Sequence, residues 1–112
     1  MRVAVIGSRS LTDIDLSPYI PAEATVIISG GAKGVDACAR DYARAHGLPL
    51  IEFLPDYAHY GRIAPLKRNG EIVAGADMLI AVWDGESHGT RATIRLAREK
   101  GIPVRIVQTQ KS

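Results

Sequence analysis

Residues 25–36 read TVIISGGAKGVD, and they carry the clearest pattern for the fold of this chain. Its first four residues are β-branched, which is typical of a buried strand. Three glycines then lead into a segment with helical spacing. A strand that turns through glycines into a helix leaves backbone N–H groups facing an open space, and the helix dipole adds positive charge there. Residues 29–36 (the first glycine loop) therefore have the features of an anion-binding turn.

A second stretch of the same kind is residues 78–90, which read MLIAVWDGESHGT. An apolar run again leads through glycines into a helical pattern. We call residues 83–90 the second glycine loop. Because each loop can hold an anion, two of them in one small chain favour a nucleotide-like ligand.

Five short apolar runs predict five strands. Most runs are continuous rather than alternating, which favours strands covered on both faces. Segments with helical spacing separate the runs, so we predict an α/β protein with a parallel sheet and helices on both faces. The five runs are Val3 to Ile6, Thr25 to Ile28, Leu50 to Leu54, Met78 to Val82, and Val104 to Val107.

The helical segments differ in how clearly they are marked. One follows the first glycine loop and is expected to end at Gly47, while the last should begin within 87–90 and end at Gly101. Residues 62–74 could form one helix with a disturbed start. Residues 11–21 contain two prolines, so any helix there should be short or irregular.

Length and composition narrow the class of protein. The 112 residues predict a single domain, 1–112, with a polar tail from residue 108. A net charge of +2 gives no overall basic field that would demand nucleic acid. The one cysteine, Cys38, cannot form an internal disulfide, which favours a reducing cytoplasm. Since no apolar run approaches the roughly 20 residues of a membrane span, we expect a cytoplasmic protein with no membrane partner.

Ligands of open parallel sheets bind beyond the carboxyl ends of the strands, where the glycine loops are expected to lie. The first strand run is followed there by Gly7, Ser8 and Arg9. Gly7 allows a close turn, Ser8 offers a hydroxyl, and Arg9 can direct two donors at a phosphate or carboxylate. The alternative is a plain turn with a solvated arginine.

The first glycine loop carries the stronger signal. It fits neither the P-loop nor the dinucleotide fingerprint, because the lysine and glycine spacings differ. Asp36 lies in the first helical turn, where a carboxylate suits the dipole, and it could instead accept a hydrogen bond from a ribose hydroxyl. The candidate ligand-binding residues of this loop are Gly30, Gly31, Ala32, Lys33, Gly34 and Asp36.

The second glycine loop and a mid-chain pair complete the candidate site. Thr90 either donates to an anion or only caps the helix. Arg68 and Asn69 could point at the same crevice, although alone they look like helix surface. The candidate residues of this loop are Asp84, Gly85, Ser87, Gly89 and Thr90.

Histidines and cysteine do not predict a metal site. His46, His59 and His88 lack metal-ligand spacing, and Cys38 looks like a core residue. His88 could act as a general acid or base, but a lone loop histidine is more often exposed and without a role in catalysis.

Arg91, Arg95 and Arg98 recur at four and three residues along the last helix. This basic stripe either contacts nucleic acid or is simply a solvated helix face.

Together these motifs resemble the SLOG superfamily, which joins the DprA-type DNA-processing proteins with the LOG phosphoribohydrolases that release cytokinin bases. The resemblance spans about residues 3–107 and is strongest to the small bacterial YspA/YpsA-related branch. It implies a Rossmann-like three-layer α/β/α fold, a five-stranded parallel sheet in the order 3-2-1-4-5, frequent dimers and a nucleotide-derived ligand. Its markers are Gly7-Ser8-Arg9, residues 29–36, Arg68-Asn69, Ala76-Asp77, Trp83-Asp84-Gly85, Ser87, Gly89 and Thr90.

The chain also departs from the LOG pattern. Arg68 matches a LOG arginine, but Asn69 replaces the following lysine, and Thr93 occupies the position of the catalytic glutamate. A threonine cannot serve as a carboxylate. The candidate catalytic residues are therefore Arg68 together with Asp36, Asp84 or Glu86.

Three hypotheses follow. The first is a domain that binds a nucleotide or nucleotide-derived ligand, acting as a sensor. The second is a LOG-like hydrolase of N-glycosidic bonds in nucleoside phosphates. The third is a DprA-like accessory protein that binds nucleic acid, for which the arginine stripe is the support and the scarcity of aromatic residues is a weakness. A homodimer or higher oligomer is expected, with no cofactor apart from the nucleotide-derived ligand.

Overall fold

The computed structural model describes residues 1–109. Five strands lie in this range: β1 (Arg2–Gly7), β2 (Val26–Ser29), β3 (Leu50–Glu52), β4 (Met78–Trp83) and β5 (Val104–Gln108). They form one sheet in the order β3-β2-β1-β4-β5, and every neighbouring pair is parallel. The predicted Rossmann-like α/β fold and its strand order are confirmed.

The helices of the described chain are α1 (Val35–Ala45), α2 (Tyr57–Tyr60), α3 (Ala64–Gly75) and α4 (His88–Lys100), with a 3₁₀ turn at Gly61–Ile63. The disturbed start that was expected near residue 62 is this 3₁₀ turn. Pro65 lies in the first turn of α3, where its missing N–H removes no helical hydrogen bond. Helix α4 ends at Gly101, as predicted, and Gly101 takes the left-handed conformation.

The expectation of a short or irregular helix within residues 11–21 is corrected. The segment forms turns instead, one of them closed on the carbonyl of Leu16. Its two prolines lack the N–H groups that a regular helix needs. Leu11, Leu16 and Ile20 are nevertheless buried, so the segment covers the sheet as a helix would.

Alternate residues of the central strands supply two separate cores. In β1, Val3 and Val5 pack beneath α1 and the segment that links β1 to β2. Ala4 and Ile6 pack beneath α3 and α4. The edge strands β3 and β5 are only partly covered, so the predicted two-sided burial holds for the centre of the sheet.

The Lys100 side chain of α4 bonds to the end of α3, and both helices pack on the same face of the sheet. Its ammonium donates to the carbonyl oxygens of Val73 (2.9 Å), Ala74 (2.9 Å) and Ala76 (3.1 Å). These carbonyls lie at the end of α3, where the last turn leaves acceptors without helical partners. The contact fixes α4 against α3, and both helices border the site described below.

The chain end differs from the expected polar tail. Gln108 is the last residue of β5, and the N–H of Thr109 bonds to the carbonyl of Trp83. The rest of the expected tail, residues 110–112, lies outside the described residues. Within residues 1–109, each helix is too short or too polar to cross a membrane.

Candidate functional site

A cleft of about 430 Å³ opens at the carboxyl ends of β1, β2 and β4. This is the point where the strand order reverses, with β2 on one side of β1 and β4 on the other, and open α/β sheets bind ligands there. Its volume is within the range of small-molecule sites. The cleft is lined by Ile6, Gly7, Arg9, Ser10, Gly30, Ala32, Asp36, Pro65, Arg68, Asn69, Ile72, Ser87, Gly89, Thr90 and Thr93.

The turn after β1 contributes one cationic side chain to the cleft. Gly7 is required there, because a Cβ would collide with the Val82 carbonyl and the Val35 side chain. Arg9 lines the cleft, is exposed, and makes no hydrogen bond or ion pair with any residue in 1–109. Ser8 is buried instead, and its hydroxyl accepts from the N–H of Asp84 at 3.3 Å. Arg9 is thus placed to meet a ligand, whereas Ser8 joins two loops.

The first glycine loop is shaped by close contacts. Gly34 precedes α1 with φ 72° and ψ −126°, and a Cβ there would lie 2.5 Å from the Arg9 carbonyl oxygen. Gly31 has φ 68° and faces Leu54. Gly30 and Ala32 line the cleft, while Lys33 is exposed and, like Gly31 and Gly34, is not part of its lining.

Asp36 is a buried carboxyl in the wall of the cleft. It is 6% exposed, and its Oδ2 accepts from the N–H of Ala32 at 3.1 Å. Its Oδ1 has no hydrogen-bond partner among the described residues. The nearby Ser29 hydroxyl is fully buried and likewise forms no hydrogen bond of ordinary geometry within residues 1–109. Buried polar atoms without partners are uncommon in folded proteins, and a hydroxyl donor lying near a carboxylate acceptor can serve that acceptor. The Asp36 carboxyl therefore has one oxygen that the protein can satisfy and another that a ligand in the cleft can use.

Burial raises the pKa of the Asp36 carboxyl above its ordinary value of 3.8. The Ala32 N–H, the Arg68 charge and the Ser29 hydroxyl lower this pKa in part, and the charge of Glu52 raises it further. Desolvation dominates because a carboxylate loses more hydration energy than a neutral carboxyl when water is removed. The group can therefore exchange a proton closer to neutrality than an exposed aspartate.

Arg68 reaches from α3 to the first glycine loop. Its Nη1 donates to the Gly30 carbonyl at 2.8 Å, and its Nε donates to Asn69 Oδ1 at 2.9 Å. A Cβ on Gly30 would approach both Arg68 and Asp36 to under 3.0 Å, so only glycine leaves room for these two side chains. The remaining Arg68 nitrogen, Nη2, bonds to no residue in 1–109 and can serve a ligand.

The polar groups of the second glycine loop form hydrogen bonds mainly with one another. Asp84 Oδ1 accepts from the N–H groups of Glu86 and Ser87, both at 2.9 Å. The Ser87 hydroxyl caps α4 by accepting from the N–H of Thr90 at 3.4 Å. Asp84 and Gly85 lie outside the lining of the cleft, as does the exposed Glu86. What this loop offers a ligand is the start of α4, with Ser87, Gly89 and Thr90 in the cleft wall.

Thr93, which the resemblance placed at the position of the LOG glutamate, lies in the cleft wall. It is 1% exposed, and its hydroxyl donates to the Gly89 carbonyl at 2.9 Å. That bond satisfies the side chain within α4, so Thr93 supplies neither a charge nor a free donor proton.

Some lining residues were missed from the sequence. Ser10 directly follows Arg9 in the same turn, and Ile6 precedes Gly7, so their position after β1 could have indicated them. Pro65 and Ile72 lie three residues from Arg68 and Asn69 respectively on α3, a spacing that places side chains on one helix face.

The histidines lie elsewhere. His46 stacks on Tyr42 with ring centroids 4.1 Å apart, His59 packs against Tyr60 at 4.6 Å, and His88 is exposed at the start of α4. Among residues 1–109, no group of three or more His, Cys, Asp and Glu side chains is arranged to hold a metal ion.

The arginine stripe lines a second groove. Arg91, Arg95 and Arg98 border it with Trp83 and Ile106, and the Arg91 guanidinium lies 5.7 Å from the centre of the Trp83 ring. This groove shares no lining residue with the cleft. Contact between the stripe and nucleic acid stays a prediction, as does the expected oligomer.

Comparisons with known proteins identify the family of this chain. Residues 1–60 match YAcAr, the YspA, cpYpsA-related SLOG family. The chain is 36% identical over 120 residues to the Gene 61 protein of Mycobacterium phage D29, an alignment that covers 92% of this chain and 93% of the phage protein. No solved structure gives a significant match. Because the family match covers more than half of the chain, including β1, the first glycine loop and α1, this protein belongs to the YspA, cpYpsA-related SLOG family.

Proposed function

We propose that this protein binds a nucleotide or nucleotide-derived ligand in the cleft, with a phosphate held by Arg9, Arg68 Nη2 and the start of α4. Membership of the SLOG family supports nucleotide-related binding or processing at a general level. The observation that carries the finer proposal is that Arg9, which has no side-chain partner among residues 1–109, lines the cleft together with a helix N-terminus at the strand-order reversal. Arginine and a helix N-terminus each favour phosphate.

The test is a calorimetric titration with nucleoside monophosphates, preceded by native mass spectrometry to find any small molecule that co-purifies. A charge-assisted hydrogen bond contributes about 1.5–3 kcal/mol, so Arg9→Ala should weaken binding about tenfold or more. The matched control is Arg44→Ala, since Arg44 is an exposed arginine at the other end of α1. Equal affinity in the wild type and Arg9→Ala would contradict this placement of the phosphate.

Arg68→Ala should weaken binding by a similar factor, but it also removes the bond to the Gly30 carbonyl. The affinity lost in Arg68→Ala must therefore be compared with the change in its free energy of unfolding. Arg68→Lys keeps a positive charge without the planar fork, and it should recover part of the affinity only if charge itself matters at this position.

A second candidate is a hydrolase that cleaves the N-glycosidic bond of a nucleoside phosphate. The observation that favours it is the buried Asp36, whose raised pKa is suited to proton transfer and which lies beside Arg68. In this reaction the oxygen of water bonds to C1′ as the C1′–N bond breaks. One water proton ends on the released base, and the hydroxyl remains on ribose 5-phosphate.

The hydrolase test is base release from a panel of nucleoside monophosphates, followed by chromatography. Turnover should disappear in Asp36→Asn, whereas Asp84→Asn and Glu86→Gln should keep it because neither residue lines the cleft. Binding without base release by the wild-type protein supports the ligand-binding proposal alone.

A further inference from the structure

The lining of the cleft offers two kinds of polar group. Arg9, Ser10 and the start of α4 supply positive charge and donors. Asp36 supplies carboxylate oxygens, and its Oδ1 has no hydrogen bond of ordinary geometry among the described residues. A ligand that uses both kinds of group must carry an anion and at least one hydrogen-bond donor.

Two protein donors serve the Asp36 carboxyl. Ala32 N–H bonds to Oδ2, and the Ser29 hydroxyl lowers the carboxyl's pKa as a hydrogen-bond donor, whereas Arg68 directs Nη1 to the Gly30 carbonyl. Rotation about the Cβ–Cγ bond of aspartate is soft, so either carboxylate oxygen can face the cleft once a donor arrives. The fully buried Ser29 hydroxyl can then donate to one carboxylate oxygen of Asp36, which leaves the other for a ligand.

We propose that Asp36 recognises the hydroxyl groups of a ribosyl phosphate, so that the site prefers ligands with an intact ribose over their 2-deoxy analogues. This inference rests on the proposed phosphate site. Sugar hydroxyls are neutral, so they can donate hydrogen bonds to a buried carboxylate without adding a second charge to the cleft. A site built to bond a hydroxyl rejects the analogue that lacks it, because its own buried acceptor is then left unpaired.

The test uses ribose 5-phosphate, 2-deoxyribose 5-phosphate and inorganic phosphate, which removes the identity of the base from the experiment. Each is titrated into the wild-type protein, with chemical shifts of backbone amides as the readout for weak binding. We expect ribose 5-phosphate to bind about tenfold or more tightly than the 2-deoxy compound. This comparison needs no variant, so a folding defect cannot obscure it.

Variants then assign the preference to one side chain. Asp36→Ala should bring the affinities of the two sugar phosphates to within about twofold of each other. Asp41→Ala, an exposed aspartate on the same helix, should keep the full preference.

The outcomes separate the two proposals. Equal binding of both sugar phosphates by the wild-type protein overturns the role of Asp36 but leaves the phosphate site standing. A preference that survives Asp36→Ala also overturns it. If neither the sugar phosphates nor nucleoside monophosphates bind, the phosphate site itself fails, and this inference fails with it.

Discussion

The two glycine loops carry the same sequence signature but are held in different ways. The first is shaped by steric contacts: Gly34 has a backbone conformation suited only to glycine, and Gly30 lies beneath Arg68 and Asp36. The second is held by its own hydrogen bonds, through Asp84 and the Ser87 cap. The first loop leaves a buried carboxyl oxygen without a partner among residues 1–109, whereas the second satisfies most of its groups internally.

This difference shows that the backbone N–H groups of a glycine-rich turn are not always available to bind an anion. In the second loop, two of the N–H groups that an anion would use are already bonded to Asp84. The part of that loop that lines the cleft is the first turn of α4 and the Ser87 cap. In the first loop, glycine makes room for side chains from α1 and α3, and these line the cleft.

The largest expected effect is on the free energy of unfolding, which a glycine substitution should lower more in the first loop than in the second. Gly34→Ala should lower the free energy of unfolding by about 3 kcal/mol or more, because it combines a strained backbone with a collision against carbonyl oxygens. Gly85→Ala should cost only about 1–2 kcal/mol, since its φ of 85° is strained but its Cβ would meet only the flexible end of Gln108. Urea denaturation measures both, and equal losses would contradict the contrast.

The next effect tests the hydrogen bonds of the second loop. Asp84→Ala removes the acceptor for two N–H groups and should cost about 1–2 kcal/mol of stability. Asp84→Asn keeps an acceptor oxygen and should cost less. Denaturant unfolding of the two variants gives the comparison, and identical losses would mean that the carboxylate charge, rather than the acceptor geometry, holds the loop.

A smaller effect is the pH dependence of the free energy of unfolding that Asp36, in the first glycine loop, should cause. Its pKa is raised in the folded state, so the folded protein keeps this proton over a pH range in which the unfolded chain has released it. The stability that the neutral carboxyl provides is complete below the ordinary value of 3.8 and is lost as the pH rises through the raised pKa.

Asp36→Asn removes this titration. The stability of Asp36→Asn relative to the wild type should therefore increase with pH across that window and then level off. Unfolding free energies measured at a series of pH values give the difference directly. A difference that is constant, or that changes in the opposite direction, would contradict the raised pKa.

The smallest effect concerns an exposed contact beside the first loop. Arg40 and Glu52 form an ion pair at 2.8 Å, with both side chains about a third exposed. Because such pairs are screened by solvent, Arg40→Ala should change stability by less than about 1 kcal/mol. A loss as large as that of Gly34→Ala, measured in the same urea series, would show that the ion pair and not steric contact fixes this loop.

Several parts of the fold could be read from local sequence. Continuous runs of valine and isoleucine marked the central strands, and Gly101 marked the end of α4. The segment 11–21 could not be assigned, because its apolar residues serve the core equally well from turns and from a helix. At the site, Asp36 and Arg68 were identified as candidates, but their meeting across Gly30 depends on the packing of α1 and α3 against one sheet.

Local sequence patterns were enough to predict the parallel sheet, the position of the glycine turns at strand ends and the side chains available for an anion site. These follow from short-range patterns, since strand propensity, helix periodicity and glycine conformations depend on neighbouring residues. Which polar groups bond to one another, and which stay available in the cleft, depends on the packing of the folded chain. Asp84 and Asp36 are both loop carboxylates in the sequence, yet one is bonded within its own turn and the other is buried with an unpartnered oxygen among the described residues. That distinction depends on desolvation and hydrogen-bond geometry, which arise when distant segments pack together.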